Sequence, residues 1–99
     1  MVRRIIWSPQ AVADRLSVLD YWHQRIGNKN YSIKLDKSLK HIVKMLVQYP
    51  SMGRQLENVE ERYFVKDNYM IFYTDNLKSI EILHIWDTRR NPDELMFDL

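Results

Sequence analysis

The sequence predicts an α+β fold of order β-α-α-β-β-β, a helical hairpin packed on one face of a mostly antiparallel four-stranded sheet. Three observations predict it. Two consecutive segments in the first half carry apolar residues at alternating spacings of four and three. After Gly53 that period disappears, and three short segments dense in Tyr, Phe, Ile and Val follow. The join between the two helical segments is only a few residues long, which makes them antiparallel neighbours. Neither layer can bury its apolar side alone, so the hairpin must cover the sheet.

Arg3 to Trp7 reads as a first strand, rich in β-branched residues, that joins the sheet at an edge. Ser8-Pro9 then opens a helix: serine caps the free N–H groups, and proline sits where its missing N–H costs nothing. Val12, Leu16, Leu19, His23 and Ile26 share one face of that helix. Gly27-Asn28 stops it. The second helix runs from about Asn30 to Tyr49, with Leu35, Leu39, Ile42, Leu46 and Tyr49 as its apolar stripe. Pro50 ends it, and Ser51 to Arg54 form a loop. Arg62 to Lys66, Tyr69 to Asp75 and Ser79 to Trp86 follow as a three-stranded meander, punctuated by Asp67-Asn68 and Asp75-Asn76 as tight turns. Asn91 to Leu99 reads as a tail that docks through Leu95, Met96, Phe97 and Leu99.

Ninety-nine residues suit a single domain with a modest core. Cysteine is absent, which removes disulfides, thiolate chemistry and cysteine-based zinc sites. The apolar run at the N-terminus is too short for a signal peptide, and no stretch approaches the roughly 20 apolar residues of a membrane span. A cytoplasmic protein that does not engage membranes is the expectation. Net charge is +2, but it is unevenly placed: all 15 lysines and arginines lie at or before Arg90, whereas Asp93, Glu94 and Asp98 follow it. A basic body with an acidic tail favours anionic partners such as nucleic acid or an acidic protein segment.

Three local patterns are similar to those of the RelE/ParE toxin superfamily. Gln48 to Arg54, QYPSMGR, resembles that family's P-x-x-G-R after the second helix. Arg62 to Asn76 resembles its arginine-led strand, turn and tyrosine-ended strand. Ile80 to Pro92 resembles its last strand running into paired arginines. The resemblance implies the toxin of a type II toxin–antitoxin system, neutralised by an antitoxin encoded beside it. RelE-like members cut mRNA on the ribosome, while ParE-like members inhibit DNA gyrase without being nucleases, so the family alone leaves the chemistry open.

RNA cleavage through the 2′-hydroxyl needs a base, a phosphate clamp and an acid. Arginine suits the clamp, because its planar fork matches phosphate and stays charged. The resemblance points to Arg62, Arg89 and Arg90 for this role. Lys66 lies on the same strand face as Arg62, and Arg54 ends the loop motif. If the strands are adjacent, Arg62, Lys66, Arg89 and Arg90 gather near one end of the sheet. Their plainer role is pairing with acids or binding an antitoxin. His84 and Asp87 are the candidate proton carriers; an edge histidine with one hydrogen bond is the plainer reading of His84. Asp87 stands where many members have histidine, and beside arginines it better orients a cation than moves a proton. The tail lacks the tyrosine that some RelE-like members use there.

Tyr63, Tyr69 and Tyr73 remain for stacking or proton transfer, with strand packing as the ordinary role. His23 reads as a core histidine. Lys34, Lys37, Lys40, His41 and Lys44 fall on one arc of the second helix opposite its leucines, as a solvated face or as a surface for RNA or acidic protein. The histidines show no metal-ligand spacing, and no cofactor is implied. Three functions are carried forward: a ribosome-dependent mRNA endonuclease, towards which the arginines lean; a non-enzymatic gyrase inhibitor; and a degenerate member that binds only its antitoxin. Sequence-specific DNA binding by this chain alone is not expected, since no reading helix stands out.

Overall fold

In the computed structural model, residues 3–88 are described. The elements are β1 (Arg4–Trp7), α1 (Pro9–Ile26), α2 (Asn30–Gln48), a 3-10 turn (Pro50–Met52), β2 (Arg54–Gln55), β3 (Arg62–Lys66), β4 (Tyr69–Asn76) and β5 (Ser79–Asp87). The sheet has five strands in the order β1-β5-β4-β3-β2, with β1 parallel to β5 and every other pair antiparallel. The added strand is β2, a two-residue pairing of Arg54 and Gln55 with Tyr63 and Arg62, in the stretch expected to be loop.

The helix ends follow their sequence signals. Ser8 Oγ accepts from Ala11 N–H at 3.0 Å and donates to the Leu83 carbonyl at 2.8 Å, so one hydroxyl both caps α1 and ties it to β5. Gly27 ends α1 with φ 85°, the left-handed conformation that favours glycine. The first hairpin turns at Asp67, φ 55°, as expected. The second does not turn at Asp75-Asn76. Those residues pair with Ile80 and Ser79, and Leu77-Lys78 form the turn.

The core lies between the helices and one sheet face. Leu39, Ile42, Val43 and Leu46 of α2 pack there with Tyr69, Ile71 and Tyr73 of β4 and Ile80, Ile82 and Ile85 of β5. Leu35 packs against them as its spacing predicts, whereas Tyr49 is exposed.

The stripe predicted for α1 is a correction. Leu16 is 62% exposed, and Val12 and Ile26 are also exposed. The helix instead turns Ala11 and Val18 to the core, together with the polar pair Asp14 and Arg15. Both polar residues have fixed partners. Asp14 bonds to β5, and Arg15 Nε meets Asp36 of α2 at 2.6 Å while its guanidinium sits 5.2 Å from the centre of the Trp7 ring. A buried backbone donor or carboxylate costs more to leave unmet than a leucine costs to expose, so partner chemistry sets the rotation of α1.

Candidate functional site

The loop motif and the arginine-led strand meet in one hydrogen-bonded unit. Tyr73 on β4 is fully buried, and its hydroxyl donates to the Pro50 carbonyl at 2.7 Å while accepting from Gly53 N–H at 2.9 Å. Arg62, opposite Tyr73 in the ladder, donates from Nη1 to the Gly53 carbonyl at 2.9 Å. A Cβ on Gly53 would collide with the Tyr73 hydroxyl, lie 2.7 Å from its ring Cε1 and 2.9 Å from the Tyr63 carbonyl. The glycine is there for close approach, and proline and glycine of the motif present the two backbone groups that hold the tyrosine. Burial pushes the Tyr73 phenol above its ordinary value, so it stays a donor well into the alkaline range.

The predicted cations divide between two levels of the sheet. Arg62 pairs with Tyr73, which pairs with Ile82; Lys66 pairs with Tyr69, which pairs with Asp87. Four strand positions, about 13 Å, separate Arg62 from Lys66. Arg54 is exposed beside Tyr63, at the Arg62 level. Lys66 is exposed and level with the C-terminal end of β5, about 10 Å from it across β4. Arg89 and Arg90 lie outside the described residues, so the expected gathering of the arginine pair with Lys66 stays an expectation, while Arg62 and Arg54 lie apart from Lys66.

His84 sits at a bulge in β5. The ladder steps from Phe72–His84 to Tyr73–Ile82, which leaves Leu83 as the extra residue and puts His84 on the face opposite Ile82 rather than beside it. Beyond Ile82, β1 no longer covers the β5 edge. There α1 supplies Asp14, whose Oδ2 accepts from Ile85 N–H at 3.0 Å and from His84 Nδ1. His84 is thus hydrogen-bonded to α1 at the sheet edge, and Asp14 does the work of a missing neighbour strand.

Asp87, half-buried, borders a cleft of about 580 Å³ between α1 and the ends of β4 and β5, together with Asp14, Val18, Trp22, Tyr69 and Ile85. Trp22 Nε1 donates to the Tyr69 hydroxyl at 2.8 Å across this cleft. Tyr69 and Tyr73 therefore serve packing and bonding, and Tyr63 lies near Phe72 with ring centres 6.2 Å apart. His23 is half-buried at the rim of α1, not in the core cluster. Lys34, Lys37, Lys40, His41 and Lys44 are all exposed along α2, with Lys40 Nζ 3.4 Å from Asp36.

Sequence reading missed Asp14 and the pairing role of Gly53. Asp14 had no visible signal, since its partner is 71 positions away and one of the groups it binds is a backbone N–H. Gly53 carried a signal in the motif itself, but its reason is the tyrosine that fills the space.

A family model described as "ParE toxin of type II toxin-antitoxin system, parDE" matches residues 5–92. No curated protein matches the sequence. Among solved structures, a chain of the chromosomal ParDE toxin–antitoxin system from P. aeruginosa superposes with a TM-score of 0.74 at 23% identity, over 89% of this chain and 98% of that one. A chain of the E. coli DinJ-YafQ toxin–antitoxin complex gives 0.60 at 14% identity, over 98% of this chain and all of that one. These two likenesses establish the shared fold. Among the described residues no helix is long and apolar enough to cross a membrane.

Proposed function

Because the chain belongs to the ParE toxin family of type II toxin–antitoxin systems, we propose that it arrests growth by binding its target, with DNA gyrase as that target, and that a cognate antitoxin restrains it. One observation carries the binding mode. The side chains that phosphodiester cleavage would call on first are engaged in holding the fold: His84 Nδ1 on Asp14, and Arg62 on the Gly53 carbonyl. A binding toxin needs no proton carriers, only a stable surface. The antitoxin reading is supported by the exposed apolar residues Val12, Leu16 and Ile26 of α1 and the lysine face of α2, which together suit an acidic amphipathic segment.

The alternative, a ribosome-dependent mRNA endonuclease, is favoured by the exposed Arg54 and Lys66 on the outer strands. Under it Arg62, Arg89 and Arg90 would clamp phosphate, and Asp87 would orient one of them. A translation reaction programmed with defined mRNA separates the two. The binding reading expects full-length mRNA at all protein concentrations; cuts at ribosome-occupied codons that vanish in Arg62→Ala would replace it with the endonuclease. Overexpression with no growth arrest in the absence of antitoxin would leave only the degenerate member.

A further inference from the structure

Helix α2 turns a cationic strip to solvent. At 3.6 residues per turn, Lys34, Lys37, Lys40, His41 and Lys44 fall within about 120° of its circumference, and at 1.5 Å per residue they run along about 15 Å of its length. Leu39, Ile42, Val43 and Leu46, which enter the core, occupy the opposite side. Every residue of the strip is exposed. The one acid on the helix, Asp36, is already held by Arg15 Nε at 2.6 Å and by Lys40 Nζ at 3.4 Å. Lys34, Lys37 and Lys44 have no ion pair among the described residues. Lys34–Lys37, Lys37–Lys40 and Lys40–Lys44 are like-charged neighbours three or four residues apart, a spacing that weakens a helix unless an anion answers it.

We propose that this strip binds the phosphate backbone of duplex DNA without reading its sequence. The charge matches in number and length. One DNA strand sets a phosphate every 3.4 Å or so along the axis, so about 15 Å of strip faces about four phosphates. The residue types match as well. Lysine is a point charge that suits phosphate, whereas base edges are read by arginine, asparagine and glutamine in paired geometry. A protein segment would need apolar anchors, and between Lys34 and Lys44 no apolar side chain falls inside the arc. A single strand would need rings to stack its bases, and Tyr31 and Tyr49 lie about 60° outside the arc. A duplex keeps its bases inside and offers only phosphate to such a surface. The inference goes beyond the gyrase reading: an antitoxin that reached these lysines would compete with DNA for them.

A fluorescein-labelled DNA duplex of about 20 base pairs, titrated with the purified full chain at several salt concentrations, reads this out by anisotropy. The logarithm of the binding constant should fall against that of salt with a slope of roughly −3.6, about 0.9 for each lysine, and a second duplex of unrelated sequence should bind alike. The double variant Lys37→Gln, Lys44→Gln should reduce the slope by about two, while Arg54→Gln with Lys66→Gln, on the sheet, should leave it unchanged. All these positions are exposed, and circular dichroism checks that each variant keeps its fold. Absence of binding at about 50 mM salt overturns the proposal, as does a slope that stays unchanged in the α2 variant or follows Arg54 and Lys66 instead. A single-stranded RNA of the same length that binds more tightly than the duplex would also overturn it. So would a glutamate-rich peptide that binds where the duplex does not, which would give the strip to a protein partner.

Discussion

At the residue scale, the Tyr73 hydroxyl joins β4 to the Pro50–Gly53 loop, 20 positions or more earlier in the sequence. Tyr73→Phe removes a donor and an acceptor at once and strands the Pro50 carbonyl and Gly53 N–H. Urea unfolding should show a loss of roughly 1–3 kcal/mol, the usual penalty for buried groups left unmet. Arg62 acts on the same loop, so Arg62→Ala should also lower the urea midpoint, and any loss of toxicity must be corrected for that. Arg54→Ala, at an exposed position, should leave the midpoint unchanged within about 0.5 kcal/mol. A second residue, Asp36, gives a pH prediction. The hydrogen bond from Arg15 holds its carboxyl below the ordinary value of 3.8, against the opposing effect of burial. A carboxylate lowered in the folded state stabilises fully above its unfolded value, and that stability is lost as pH falls through it towards the folded value. Asp36→Asn should therefore cost about 1 kcal/mol at pH 7, little for a pair that is partly solvated. The difference from wild type should shrink as the pH falls below 4, which urea curves at several pH values would show. The role of the motif residues was only half legible. P-S-M-G-R marks a loop of defined shape, but the tyrosine it encloses comes 20 positions later and is named by nothing local.

At the element scale, the four longer strands and the helix ends were legible because their causes are local, whereas the two-residue β2 was not. Ser8-Pro9, Gly27 and Pro50 act through backbone geometry at their own positions, and β3 spans Arg62 to Lys66 as its composition predicts. The rotation of α1 was not legible, since hydropathy spacing cannot register a carboxylate that completes a sheet edge. That difference is measurable. Leu16→Ala on α1 should change stability by no more than about 0.5 kcal/mol, whereas Leu39→Ala on α2 should cost roughly 2–5 kcal/mol. If both cost alike, α1 packs by its leucines after all. Asp14→Ala should cost about 2–3 kcal/mol by uncovering Ile85 N–H and the imidazole together. Hydrogen exchange at the Ile85 amide is the direct check, and faster exchange there than at Ile71 would place the opening at the β5 edge. The turn after β4 moved for a similar reason. Asp75-Asn76 has turn composition, but pairing with Ile80 and Ser79, and the Arg3–Asp75 ion pair at 2.8 Å, extend the strand through it.

At the scale of the whole molecule, two helices fixed by polar contacts lie over a five-stranded sheet, and the cations are spread over its outer strands and the outward face of α2. The class of fold was legible because a period change and a short helical join admit few layer arrangements. The arrangement of the site was not, because strand register decides which cations share a level, and register became visible only with the bulge at Leu83 and the pairing of β2. His84 and the strand-leading Arg62 are both bonded within the fold, which favours the proposed binding mode over a cutting one. Supercoiling of relaxed plasmid by purified gyrase, titrated with the purified chain, tests that claim most directly. Supercoiling should fall with increasing chain and recover on adding the antitoxin. Unchanged supercoiling at saturating chain, under conditions where the same preparation still arrests growth, would contradict it.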